Sequence, residues 1–105
     1  MLEQPDVIDI VSTTPDGKVL LVITDAGLTA DQGQRAAMYA EKLRAYVAYA
    51  CSEELGRANP RKTLADVRIR IMSPTPPPGG LSGLSSVSPA GDPTRAIPVE
   101  FVRFP

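Results

Sequence analysis

From Asp6 onward the chain offers two apolar runs separated by a polar break: "DVIDIVS" (Asp6–Ser12), "TTPDGK", then "KVLLVITD" (Lys18–Asp25). β-Branched residues suit a pleated, half-buried surface, and Pro15, Asp16 and Gly17 supply turn geometry. The pattern predicts a β-hairpin with a loop of about four to five residues. Alternation places Ile8 and Ile10 on one face of the first strand and Val7, Asp9 and Val11 on the other. In the second strand Leu20 and Val22 alternate with Val19, Leu21 and Ile23, so both faces are apolar. Such a strand is central or covered twice, which calls for something other than the main helix on its second face.

Beyond Leu28 the apolar period lengthens from two to about 3.6. Thr29 followed by Gln32 fits a capping box, Asp31 complements the positive end of a helix dipole, and Gly56 suits a left-handed C-terminal position. One long helix is expected from about Ala30 to Leu55. Ala36, Tyr39, Ala40, Leu43, Tyr46, Val47, Ala50 and Cys51 share the side assigned to the sheet. Met38, Ala45 and Tyr49 form a second, outer stripe beside Glu41, Lys42 and Ser52. Such a helix would be roughly 39 Å long, against about 23 Å for a seven-residue strand. One end would overhang the sheet.

"RANPRKTL" is a basic turn region broken by Asn59 and Pro60. "DVRIRIM" then alternates strictly, with Val67, Ile69 and Ile71 inward and Arg68, Arg70 and Met72 outward. "AIPVEFVRF" (Ala96–Phe104) reads as the last strand, and Pro98, which cannot donate to a ladder, argues for an edge position or a late start. The order β-β-α-β-insert-β predicts one α+β domain over residues 1–105: a four-stranded, mainly antiparallel sheet with one long helix on one face.

The insert, Ser73–Pro93, is rich in Pro, Gly and Ser and reads as a connection across the domain. Pro76–Pro78 should be extended in polyproline II. Leu81, Leu84 and Val87 recur every third residue, which suits a short helical turn pinned to the second sheet face. Pro74 and Pro77 have a PxxP spacing without an adjacent basic anchor.

Composition narrows the function classes. No apolar run approaches the ~20 residues of a membrane-spanning helix. "MLEQPDVIDI" carries acids where a secretory signal carries bases, which points to the cytoplasm. A net charge of −1 gives no general attraction to nucleic acid or membrane. The charge is unevenly spread, however. Residues 1–31 hold six acids (Glu3, Asp6, Asp9, Asp16, Asp25, Asp31) and one base, Lys18, while residues 57–70 hold five bases (Arg57, Arg61, Lys62, Arg68, Arg70) and one acid, Asp66. The two regions either face each other in the fold or form a dipolar surface for a charged partner.

With no histidine and a single cysteine, Ser-His and Cys-His pairs, multi-cysteine metal sites and internal disulfides are excluded within one chain. Cys51, on the inner stripe, reads as an inert buried thiol. Gly80-Leu81-Ser82-Gly83 places its second glycine one position early for a nucleophile elbow, and Leu84 stands where a phosphate loop needs lysine. No cofactor and no resident metal are called for. Asp6, Asp9 and Asp25 are the carboxylates closest to a cation-binding set, without an EF-hand pattern. Tyr39 and Tyr46 read as core residues whose hydroxyls reach the rim.

"PDVIDIVS", "PDGKVLLVITD", "EKLRAYVAY", "VRIRI" and "PTPPP" together resemble a family of small, functionally uncharacterised bacterial proteins known only as a domain of unknown function. The likeness covers roughly residues 5–78, and its most specific part is Pro5-Asp6-Val7-Ile8-Asp9 followed by the Asp-Gly hairpin. The resemblance implies an α+β fold and a second amphipathic helix after the triple proline, where this chain instead has "GGLSGLSSVSPAGDP". It implies no catalytic residue.

Two function classes follow. The first is a non-catalytic module that binds protein, either a second copy or a separate partner, through Met38, Ala45, Tyr49, Asp16 and Asp25. One version is an immunity-like protein whose acidic hairpin covers a basic toxin site. The second is a binder of small anions, or an enzyme limited to arginine and carboxylate chemistry, holding its ligand with Arg68, Arg70 and Arg103 under the insert as a lid.

Overall fold

A computed structural model describes residues 1–81, 83–90 and 92–103. The hairpin forms as its sequence predicts: β1 (Ile10–Thr13) and β2 (Val19–Thr24) pair antiparallel, with Gly17 in the turn at φ +83°. β1 is shorter than the apolar run. Residues 6–9 leave the strand because the Val7 carbonyl and the Asp9 side chain turn toward the helix, where they bind Lys42.

The long helix is two helices, α1 (Gln32–Ala50) and α2 (Glu53–Ala58). Ser52 separates them. Its backbone is extended, its hydroxyl donates to the Tyr49 carbonyl at 2.6 Å, and the same oxygen accepts the Leu55 N–H at 3.3 Å. It is an N-cap with Glu53 and Glu54 in the first turn behind it, which favours a new helix over a continued one. The break cuts the expected overhang to a few ångströms, since 19 residues span only about 28 Å. At the start of α1 the cap is Asp31, whose carboxylate accepts the Gln34 N–H, and Thr29 turns its hydroxyl to Glu3 instead.

The sheet differs from expectation in size and sense. It has five strands in the order β1-β2-β3-β5-β4, with β3 at Val67–Ser73, β4 at Ser86–Val87 and β5 at Ile97–Arg103. β2-β3 and β3-β5 are parallel pairs, and β1-β2 and β4-β5 are antiparallel. The reason is connectivity: α1 and α2 carry the chain back to the start of the sheet before β3, and the insert does so again before β5. The insert also contributes β4. A 3₁₀ turn at Gly79–Leu81 stands where the second helix was implied. The part of the last strand that falls on Phe104 lies outside the described residues.

One face of the sheet carries the core. Val19, Leu21, Ile23, Val67, Ile69, Ile71, Ile97 and Val99 pack with Tyr39, Leu43, Tyr46 and Ala50 of α1 and with Leu2 and Leu55. Leu81, Leu84 and Val87 join this same cluster, lining a cleft with Ala40, Leu43 and Val47 of α1, and so are not on the second face. That second face is a single layer. Leu20 and Val22 are buried there, yet their neighbours in register, Ser12 and Arg68, and Ile10 and Arg70, are exposed or half-buried.

Candidate functional site

The buried side of α1 is rotated from the apolar stripe. It comprises Arg35, Tyr39, Lys42, Leu43, Tyr46 and Ala50, whereas Ala40 and Cys51 are exposed. Two charged residues therefore face the sheet, each four residues before a buried tyrosine. Arg35 Cζ lies 5.6 Å from the Tyr39 ring centroid, and Lys42 Nζ lies 5.7 Å from that of Tyr46. Each pair meets one aspartate, so the same cation, tyrosine and carboxylate grouping occurs twice along α1, seven residues apart.

The first grouping sits at the carboxyl ends of β2 and β3. Arg35, 1% exposed, donates from Nε to Asp25 Oδ2 at 2.9 Å, from Nη1 to the Pro76 carbonyl at 2.9 Å and Gln32 Oε1 at 3.3 Å, and from Nη2 to Ser73 Oγ at 3.2 Å. The Tyr39 hydroxyl donates to Asp25 Oδ2 at 2.7 Å, and the Gly27 N–H to Asp25 Oδ1 at 2.9 Å. Burial alone would raise the Asp25 pKa. The Gly27 N–H, the Tyr39 hydroxyl and the Arg35 guanidinium together outweigh it and hold the carboxyl below its ordinary value.

The second grouping ties the N-terminal segment to the helix. Lys42, 0% exposed, places Nζ 2.7 Å from the carbonyls of Met1, Gln4 and Val7 and 2.9 Å from Asp9 Oδ1. An ammonium has three hydrogens, and here four oxygens surround it. Asp9 Oδ2 accepts the Thr24 N–H at 2.9 Å, its Oδ1 also meets the chain's terminal ammonium, and the Asp9 N–H donates to the Tyr46 hydroxyl at 2.9 Å. Tyr46 in turn donates to the Val22 carbonyl at 2.5 Å. Burial opposes ionisation of Asp9, but the terminal ammonium, the Thr24 N–H and Lys42 win and lower its pKa. Burial raises the pKa of both tyrosines.

These are the groups that would ordinarily nominate an active centre. Their partners are all internal, and among the described residues no buried side-chain nitrogen or oxygen lacks a hydrogen bond. Chemically the two groupings act as fasteners: one clamps the insert to β2 and β3, the other clamps residues 1–9 over α1 and β2.

The residues singled out from sequence are dispersed. Asp25 is fully buried and is not part of an acidic surface. Asp9 and Asp25 each hold a cationic side chain, and among the described residues no group of three or more His, Cys, Asp or Glu could hold a metal ion. Tyr39 and Tyr46 are wholly buried and do not reach the rim. Cys51 is exposed, because the helix ends at Ala50 and the turn swings its side chain outward. Met38, Ala45 and Tyr49 are half-buried, and Met38 and Tyr49 pack on the core from the Lys42 flank.

Arg68 and Arg70 lie on the open sheet face, where Arg68 Nη2 is 3.3 Å from Asp16 Oδ2 and Arg70 Nε is 2.5 Å from Glu100 Oε1. Arg103 is in register with Ser73 on the opposite, helix-bearing face, beside a cleft of about 220 Å³ with Ser73, Thr75, Pro76, Pro77 and Phe101. The three arginines do not converge. The acidic hairpin and the basic segment do meet, through Arg68 with Asp16 and Lys18 with Asp66 at 3.5 Å. Ser82 lies outside the described residues.

Apolar side chains also stand in water. Val7, Ile10 and Val11 are 45%, 47% and 43% exposed at one edge of the sheet, and the open groove of about 430 Å³ between α1 and the insert is lined by Leu43, Val47, Leu81, Leu84 and Val87. Among the described residues no helix is long and apolar enough to cross a membrane.

An α+β chain with a mixed five-stranded sheet, a long helix and two internal charge clamps is the class defined by this architecture. The chain belongs to the family of unknown function DUF6572, whose model matches residues 1–80. That span takes in both clamps and ends within the insert. No curated protein and no solved structure matches the chain.

Proposed function

We propose that this chain is a non-catalytic protein-binding module of the bacterial cytoplasm. One observation carries the reading: the buried charges satisfy one another, while the apolar side chains of the β1 edge stay in water. Catalytic groups need a partner that the substrate or a proton can displace, and a fully satisfied clamp offers none without unfolding its own loop. Exposed apolar surface with a polar surround is where proteins associate.

The test is photo-cross-linking in the native cells with a photoreactive residue at Ile10, and at Glu53, which is highly exposed on α2, as the control. Protein adducts from position 10 in excess of those from position 53 are expected. Equal, sparse labelling at both positions overturns the reading.

A further inference from the structure

We infer that β1 pairs antiparallel with the β1 of a second copy, making one continuous sheet across a two-fold axis. The inference rests on the protein-binding reading and names its partner. It begins with the direction of backbone groups. The Thr14 N–H donates to the Lys18 carbonyl at 2.9 Å, so residues 14 and 18 form a hydrogen-bonded pair of the hairpin. Such pairs alternate in an antiparallel ladder, and the register Ile10 with Val22 and Ser12 with Leu20 makes those the next two. The N–H and C=O groups of Val11 and Thr13 therefore point away from β2, toward an edge where no other strand pairs with them among the described residues.

Exposed edges are normally protected by charge, proline, a bulge or brevity. The far edge obeys this rule: β4 has two residues, with Pro89 shortly after it. β1 does not. Its sequence, Ile-Val-Ser-Thr, is uncharged and wholly exposed, and it carries two of the four large hydrophobic side chains that stand in water among the described residues.

The ends of the edge fix both occupant and register. The Asp9 N–H is already given to Tyr46, and Pro15 has no N–H. An added strand thus finds a ladder bounded at 9 and 15. A reversed copy of β1 meets it with the same bounds when Val11 of one chain opposes Thr13 of the other. Four hydrogen bonds then form, Ser12 faces Ser12 on the axis, and the Asp9 and Pro15 positions fall opposite each other. Moving the register by two residues in either direction loses one of the two paired sets. No charged side chain of β1 is brought against its own copy, so self-pairing meets no like-charge repulsion along the strand.

Sedimentation and light scattering up to millimolar protein should give a mass of twice 11.2 kDa. Val11→Lys, and separately Thr13→Pro, which removes an outward N–H, should return the mass to one chain with an unchanged circular dichroism spectrum. In a Cys51→Ser background, Ser12→Cys should oxidise to a covalent dimer far faster than Ser86→Cys on the far edge. Facing Cα atoms at a non-hydrogen-bonded pair lie about 4.5 Å apart, inside the range of a disulfide. A single-chain mass at every concentration, a dimer that survives Val11→Lys, or equal oxidation of the two cysteine variants overturns self-pairing. A monomer that still cross-links to another protein from position 10 overturns self-pairing alone, whereas a monomer without cross-links removes the binding reading as well.

Discussion

Lys42 Nζ and Asp9 Oδ1 lie 2.9 Å apart with both side chains out of water, and the other Asp9 oxygen accepts the backbone N–H of Thr24. A single carboxylate thus joins α1 to the end of β2. The three carbonyls around the same ammonium make residues 1–7 a fitted part of the fold.

Lys42→Met should accordingly cost about 3 kcal/mol, the lower end of the scale for breaking a buried ion pair, because Asp9 keeps the terminal ammonium as a second partner. Urea denaturation measures it. The Leu2 amide, which donates to the Thr24 carbonyl at 2.9 Å, should lose hydrogen-exchange protection in the same variant. Adding Asp9→Asn, which removes a buried charge left with the terminal ammonium alone and keeps an acceptor for Thr24, should restore part of the loss.

Acid should loosen both clamps. Asp9 and Asp25 ionise in the folded chain below their ordinary value of 3.8, so on acidification the unfolded chain takes up protons first. Their contribution is complete above the unfolded value and is lost as pH falls through about 4 toward the folded values. Thermal midpoints measured from pH 7 to pH 2 should drop in that window, and Asp25→Asn should flatten the drop while lowering the midpoint at neutral pH. A midpoint indifferent to pH across this range would falsify the assignment.

Alkali acts on the tyrosines with the opposite sign. Burial raises Tyr39 and Tyr46 above the ordinary value of 10.0, so their contribution is whole below that pH and declines above it. Phenolate absorbance from these two should emerge together with loss of tertiary structure, and Tyr39→Phe should remove one of the two late-ionising groups.

The Cys51 thiol should react with an aromatic disulfide reagent in the native protein at a rate near that of the unfolded chain, since its side chain stands in solvent. Protection until denaturant is added would contradict the turn at Cys51 and Ser52.

Arg61 is the one non-glycine residue with positive φ among those described, at 73°. Arg61→Gly should therefore raise stability by about 0.5–1 kcal/mol, the left-handed strain relieved outweighing the added freedom of the unfolded chain.

Much of the frame was legible from residue order. The Asp-Gly turn between β-branched runs located the hairpin, and the alternation of Val67, Ile69 and Ile71 located β3 with its inward face correct. The helix face was legible only in part, because a reading by apolar period assigns every Arg and Lys to solvent. Arg35 and Lys42 are buried because partners distant in sequence, Asp25 and Asp9, are there to meet them. Their signal was spacing: each stands four residues before a tyrosine, in register with the inward stripe. Ser52 followed by two glutamates was a cap in plain view, masked by continuous apolar periodicity across it. Beyond the hairpin, strand sense was legible for one pair only: a helix between β2 and β3 is the ordinary crossover of parallel strands, whereas the insert before β5, poor in apolar residues, gives no sign of how far it travels. β4 escaped for the same reason, its two residues being carried by the ladder on β5 and not by their own composition.

The run Pro76–Pro78 opens the passage from β3 to β5, and Arg35 grips the carbonyl of its first residue. Proline fixes φ, so three in succession leave the unfolded chain fewer shapes to surrender there. A link between parallel strands that lacks a helix to organise it thus starts half-arranged. It is a stiff strut bolted at one end, delivering the glycines to the place where the path must turn.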